Sequence, residues 1–211
     1  MNDTTLKPYF EKYIQGINTG LINIKNNTSE RTKLEELKQE IVSTVQSEGK
    51  IIFTGIGKNV FACQKLAASY SSIGIPSYFV DAVHAVHGDL GTIGENDLII
   101  ALSKSGNTSE LINMLNHLTN NKDRFPNKII GIDCHNSVVT ENGFEIHCDK
   151  VIHLWCVEEI DEMDLVPTVS AVLLQIIGDI VGVGAAEILG LNKKIFRLNH
   201  PGGTIGETLK K

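Results

Sequence analysis

The sequence predicts an α/β fold: a doubly wound, mainly five-stranded parallel sheet flanked by helices, with helices at the N-terminus. Three observations predict it. From Lys50 onward, short apolar runs recur that are continuous rather than alternating, as strands covered on both faces require. Segments of helical spacing separate these runs, which is the pattern of right-handed βαβ crossovers. Two of the strand-to-helix junctions are rich in glycine or hydroxyl residues, and that edge of such a sheet is where ligands bind.

The elements follow in order. Phe10, Ile14, Ile17, Leu21 and Ile24 recur at spacings of four and three, a helical stripe that Asn26-Asn27-Thr28-Ser29 interrupts. A second helix carries Leu34, Leu37, Ile41 and Val45 on one face. Thr32 and Glu35 have capping-box spacing near its start, and Gly49 suits its end. Strands are expected over 51–54, 77–80, 98–102, 128–132 and 150–154, with helices over 60–73 and 109–118. The nearly apolar segment 167–189 is long enough to span a membrane. Gln175, Asp179 and Glu187 interrupt it, and Gly178, Gly182 and Gly184 favour close packing, so a buried or interface helix is expected. No repeat, low-complexity tract or linker appears, and one domain is expected over 1–211: N-terminal helices over 1–48, then the α/β core over 49–211.

Composition narrows the function. The chain has 211 residues, 42% of them hydrophobic, enough to bury a core and to exclude intrinsic disorder. Its net charge is -6, its only arginines are Arg31, Arg124 and Arg197, and no basic stripe is present, which argues against nucleic acid. Cys63, Cys134, Cys148 and Cys156 lie far apart and the N-terminus has no signal-peptide pattern, so reduced thiols and a cytoplasmic location are expected. His84, His87, Cys134, His135, His147, Cys148, His153 and Cys156 show no zinc-finger spacing, and no metal is expected.

Two loops carry candidate chemistry. Thr54-Gly55-Ile56-Gly57-Lys58-Asn59 lets the backbone approach a ligand beside a helix N-terminus. It completes neither the Walker nor the dinucleotide-binding pattern. Ser103-Lys104-Ser105-Gly106-Asn107-Thr108-Ser109-Glu110 places four hydroxyls and a glycine at a helix start. N-capping needs only one of them, so a phosphate cradle is the better reading.

Ser-x-Ser-Gly-x-Thr-x-Glu after an apolar strand resembles the signature of the sugar isomerase (SIS) domain. Gly55-Ile56-Gly57-Lys58, His87-Gly88-Asp89-Leu90-Gly91 and His200-Pro201-Gly202-Gly203-Thr204-Ile205-Gly206 look like its arabinose 5-phosphate isomerase branch, in the family's order. The resemblance runs from about Leu34 to the C-terminus. It implies interconversion of D-ribulose 5-phosphate and D-arabinose 5-phosphate, the entry to the sugar acid Kdo, with no metal or organic cofactor. The catalytic set would be Lys58, Glu110, Glu159 and His200, with Glu159 placed by its spacing before Pro167-Thr168. Ser103, Ser105 and Thr108 would hold the phosphate, and Gly57 and His87 would line the substrate site.

Aldose–ketose isomerisation passes a proton between C1 and C2 through an enediolate. Lys58 suits the oxyanion, and either Glu159 or His200 suits the carbon. By residue type alone, Glu110 equally suits a first-turn helix acid, and Glu159 lies in an acidic stretch that reads as a solvated loop. Asn59-Val60 replaces the family's small Ser-Gly pair, and Ala82-Val83-His84-Ala85 replaces its Pro-x-Glu-Ala. A stand-alone domain without CBS modules is expected, assembled as a homotetramer and not bound to a membrane. The alternatives are an SIS isomerase of another phosphosugar, or a non-catalytic sensor of a phosphosugar or nucleotide sugar.

Overall fold

A computed structural model describes residues 5–134, 143–155 and 158–202. Its elements run α1 (Lys7–Asn26), α2 (Thr28–Gln46), β1 (Ile51–Gly55), α3 (Lys58–Ser72), β2 (Ser77–Phe79), α4 (Ala82–Ala85), a 3-10 turn (Asp89–Thr92), β3 (Leu98–Ser103), α5 (Ser109–Asn120), β4 (Ile129–Asp133), α6 (Gly143–His147), β5 (Lys150–His153), α7 (Val169–Ile188) and α8 (Lys193–Asn199). The five strands form one parallel sheet in the order β2-β1-β3-β4-β5.

Side chains alternate across a strand, so the continuous apolar runs feed two cores. Ile51, Phe53, Leu98, Ile100 and Leu102 face Leu37, Ile41, Leu66 and Leu173 of α2, α3 and α7. Ile52, Ile99 and Ala101 face Leu111, Met114, Leu115 and Phe144 of α5 and α6. Helices therefore cover both faces, as the unbroken hydrophobicity of the strands requires.

Helix α7 has the length and apolarity of a membrane span, yet it lies against α1, α2 and α3. Gly182 lets it close on α3: a Cβ there would stand 2.3 Å from the Tyr70 ring. The Tyr70 hydroxyl donates to the Gly178 carbonyl at 2.8 Å in the same contact. The α1 stripe divides. Ile24 is buried and Ile17 and Leu21 pack on the core, but Phe10 and Ile14 stay exposed.

Two local expectations are corrected. The N-cap of α2 is Asn27, whose Oδ1 accepts the Glu30 N–H at 3.2 Å, so the helix starts before the Thr32/Glu35 pair. Its C-terminal left-handed residue is Glu48 (φ 59°), not Gly49. The amides of Glu48 and Gly49 bond back to the Val45 and Thr44 carbonyls, which is a Schellman closure. His135, Cys156 and the motif from Gly203 onward lie outside the described residues.

Candidate functional site

The chain leaves β1 toward β2 on one side and returns to β3 on the other, so the crevice beyond the carboxyl ends of β1 and β3 is the topological switch point. Both loops singled out in the sequence open there. Gly55 pairs in register with Leu102, so the turn after β1 and the loop after β3 are neighbours.

Gly57 caps α3 with φ 63° and ψ -125°, a backbone geometry that L side chains rarely adopt. Among the described residues its side-chain position is open space, so φ rather than packing accounts for glycine there. Among the described residues no side chain caps the α3 amides. Lys58 is the first residue of α3, exposed beside those amides, so a cation and a helix N-terminus share one point of the crevice.

The hydroxyl loop is a closed turn. Ser103 is buried at the end of β3; its Oγ accepts the Gly106 N–H at 3.0 Å and lies 3.3 Å from Thr108 Oγ1. Ser105 Oγ accepts the Asn107 N–H at 3.2 Å. Thr108 occupies the N-cap of α5 without a side-chain cap bond, its hydroxyl turned to Ser103 instead. The hydroxyls therefore shape the loop, and Thr108 itself makes no cap bond to the first turn of α5.

Glu110 is exposed in that first turn and accepts from the Ser109 hydroxyl at 2.9 Å. Its own backbone N–H and Ser109 hold its carboxyl below the ordinary range, so it is an anion at neutral pH.

Glu159 is not on a solvated loop. It is buried, and its carboxylate caps α7: Oε2 accepts the Thr168 N–H at 2.9 Å, the Thr168 hydroxyl at 3.0 Å and the Ser170 N–H at 3.2 Å. Oε1 accepts the Ser170 hydroxyl and meets Lys104 Nζ at 2.9 Å. Burial by itself raises this carboxyl's pKa. The Ser170 hydroxyl, Lys104 and the Thr168 and Ser170 amides outweigh it and hold the group down at about 2. Five donors occupy the roughly four lone-pair sites of one carboxylate.

His200 is the C-cap of α8, stacked on Phe196 at 4.0 Å between ring centroids. Its Nδ1 lies 2.7 Å from the Phe196 carbonyl, which accepts the ring N–H and leaves Nε2 as the basic nitrogen. Asn199 beside it donates to the carbonyl of Ser72, the last residue of α3. Lys58 opens that helix, and fifteen residues at 1.5 Å each put roughly 20 Å between the two ends. His87 is exposed beyond β2, before Gly88 (φ 131°). One chain thus assembles Lys58, Glu110 and the hydroxyl loop at the crevice, while His200 lies at the far end of α3.

Lys104 and Asn107 are additions to the site. Lys104 lies within the quoted motif, but its link to Glu159 spans a separation that no local pattern encodes. Asn107 Oδ1 accepts the Gly143 N–H at 2.8 Å, tying the loop to α6. Among the described residues no group of three or more His, Cys, Asp or Glu is arranged to hold a metal ion. Cys63 and Cys134 are buried, and burial pushes the Cys63 thiol well up.

Residues 44–177 match the model of the SIS domain family. The chain is 30% identical over 207 residues to arabinose 5-phosphate isomerase KpsF of Escherichia coli, covering 98% of this chain and 61% of that protein. It is 32% identical over 192 residues to arabinose 5-phosphate isomerase KdsD of Francisella tularensis, covering 90% and 55%. The chain therefore spans about three fifths of the length of these curated relatives. The structure of c3406 from E. coli CFT073 in complex with arabinose 5-phosphate superposes with a TM-score of 0.79 at 29% identity, covering 95% of this chain and all of that one.

Proposed function

The chain belongs to the SIS domain family, and from that premise we propose that it is a phosphosugar aldose–ketose isomerase interconverting D-ribulose 5-phosphate and D-arabinose 5-phosphate. The observation that carries this reading is the closed Ser103–Gly106–Thr108 turn beside Lys58 at the sheet's switch point. In a protein of charge -6, an anion has to be met locally. The hydroxyls of Ser103, Ser105 and Thr108 and the first amides of α5 hold the phosphate, and the Gly57–Lys58 turn reaches the reacting end of the sugar. The names of the relatives and the arabinose 5-phosphate complex support this choice of sugar.

Isomerisation removes a proton from C2 of the aldose and returns it to C1 of the ketose, with negative charge on the oxygens in between. Lys58 and the α3 amides meet that charge. His200, through the free Nε2, is the proton carrier at carbon, because the Glu159 carboxylate is saturated with donors and held near 2. Glu110 shuttles protons between the oxygens. Glu159 serves by fixing Lys104 under the loop. His87 lines the crevice from the β2 side.

His200 reaches Lys58 from a second copy of the chain, since its own lies a helix length away. The exposed Phe10 and Ile14 of α1 and Ile180 and Val183 of α7 offer apolar surface for that assembly, a homotetramer in this reading. The test is a coupled assay offering arabinose 5-phosphate beside ribose 5-phosphate and hexose phosphates. Ribulose 5-phosphate is expected from the first alone; tight phosphosugar binding without turnover would instead identify a sensor.

A further inference from the structure

We propose that the protonated imidazole of His153, held between Asp133 and Glu145, is a positioning group for the hydroxyl loop, acting through α6. His153 ends β5 and Asp133 ends β4, paired in register. Its Nδ1 lies 2.9 Å and 3.1 Å from the two oxygens of the fully buried Asp133 carboxylate, and its Nε2 lies 3.0 Å from Glu145 Oε1 on α6. Both ring nitrogens thus face carboxylates. Imidazolium donates to both; neutral imidazole has one N–H and must turn a lone pair on the other anion.

The contact continues into the site. Helix α6 is only Gly143–His147, and its first two amides bond to the hydroxyl loop: Gly143 to Asn107 Oδ1 at 2.8 Å, Phe144 to the Gly106 carbonyl at 3.2 Å. Glu145 is the next residue. Phe144 anchors the helix in the core, so loss of the His153–Glu145 contact shifts α6 rather than freeing it.

The charged groups facing the ring from the packed elements, among the described residues, favour the cation. Asp133 comes from β4, Glu145 from α6 and Glu30 from α2; Glu30 Oε2 accepts the His153 backbone N–H at 2.8 Å. Lys33 on α2 opposes it but is paired with Glu30 at 3.0 Å, and Glu36 on the same helix is paired with Lys150. On α6, His147 Nδ1 lies 3.3 Å from the Thr119 hydroxyl, and beyond it burial pushes the Cys148 thiol well up, leaving it neutral. The Asp133 bond raises the pKa of His153 above 6.5. The bridge is therefore complete below 6.5 and is lost as pH rises through the elevated value.

The experiment uses the full chain and follows the His153 ring and the Gly106 and Asn107 backbone amides by NMR between pH 5.5 and 9, alone and with sulfate, an anion of constant charge over that range. The comparison is Glu145→Gln, whose amide donates to a neutral imidazole and so holds α6 in both states. In the unsubstituted protein the loop amides should follow the ring with one midpoint above 6.5, and sulfate affinity should fall at least about fivefold across it. In Glu145→Gln the ring should still titrate while the loop amides and sulfate affinity stay level. Loop amides that ignore the ring, or a step of equal size in the variant, would overturn the proposal. The affinity arm alone rests on the phosphate reading of the loop. An amide step with no sulfate binding at any pH supports the coupling and overturns that reading instead.

Discussion

Lys104 Nζ stands 2.9 Å from Glu159 Oε1, so the hydroxyl loop after β3 and the N-terminus of α7 are joined by an ion pair whose carboxylate is buried. The pair explains why an acidic stretch contributes a residue to the interior. The α7 amides and Lys104 together satisfy the anion, and the anion in turn orders a cation beneath the candidate phosphate site.

Glu159→Gln should destabilise the fold by about 3 kcal/mol at pH 7, because it leaves Lys104 and the α7 amides facing a neutral group. The folded-state pKa is depressed, so this contribution is present above the unfolded value of 4.5 and is lost as pH falls from there toward about 2. Urea unfolding of both proteins at pH 7 and pH 3 checks it: the difference should shrink at the lower pH.

Ser105→Ala should raise KM several-fold with kcat little changed if, as proposed, its hydroxyl meets the phosphate and not the reacting carbons. Ser103→Ala should also cost about 1 kcal/mol of stability, because the buried Gly106 N–H loses its acceptor. Steady-state kinetics beside thermal unfolding separates the two.

Gly57→Ala meets no neighbour among the described residues, so its cost comes from the backbone alone, about 1–3 kcal/mol for a side chain at φ 63° and ψ -125°. The larger effect should fall on kcat, as relief of the strain moves Lys58. A variant with full kcat would remove the turn from the reaction.

Lys58→Ala and His200→Ala should each abolish turnover alone. Unfolded together and refolded as a one-to-one mixture, they should recover about a quarter of the wild-type rate if each site takes its lysine from one chain and its histidine from another. No recovery from mixed assemblies would place both residues in one chain's site.

The strands were legible because their signal is local: five apolar runs bounded by turn residues appear in the sheet within a residue or two of the expected bounds. The Gly57–Lys58 turn and the Ser103–Ser109 loop were legible for the same reason, as each is one strand-to-helix junction. The α2 boundaries are less legible because Asn27 and Glu48 compete with stronger-looking neighbours for the cap positions.

By itself the sequence determined the parallel sheet, the covered faces and the two loops at its carboxyl edge, since periodicity and turn chemistry act over a few residues. Only the tertiary structure decided that Glu159 is a buried cap, that His153 lies between two carboxylates from β4 and α6, and that His200 lies at the far end of α3 from Lys58. Those relationships depend on which elements the sheet order brings together, and hydrogen-bond partners chosen across the fold leave no periodic trace in the chain.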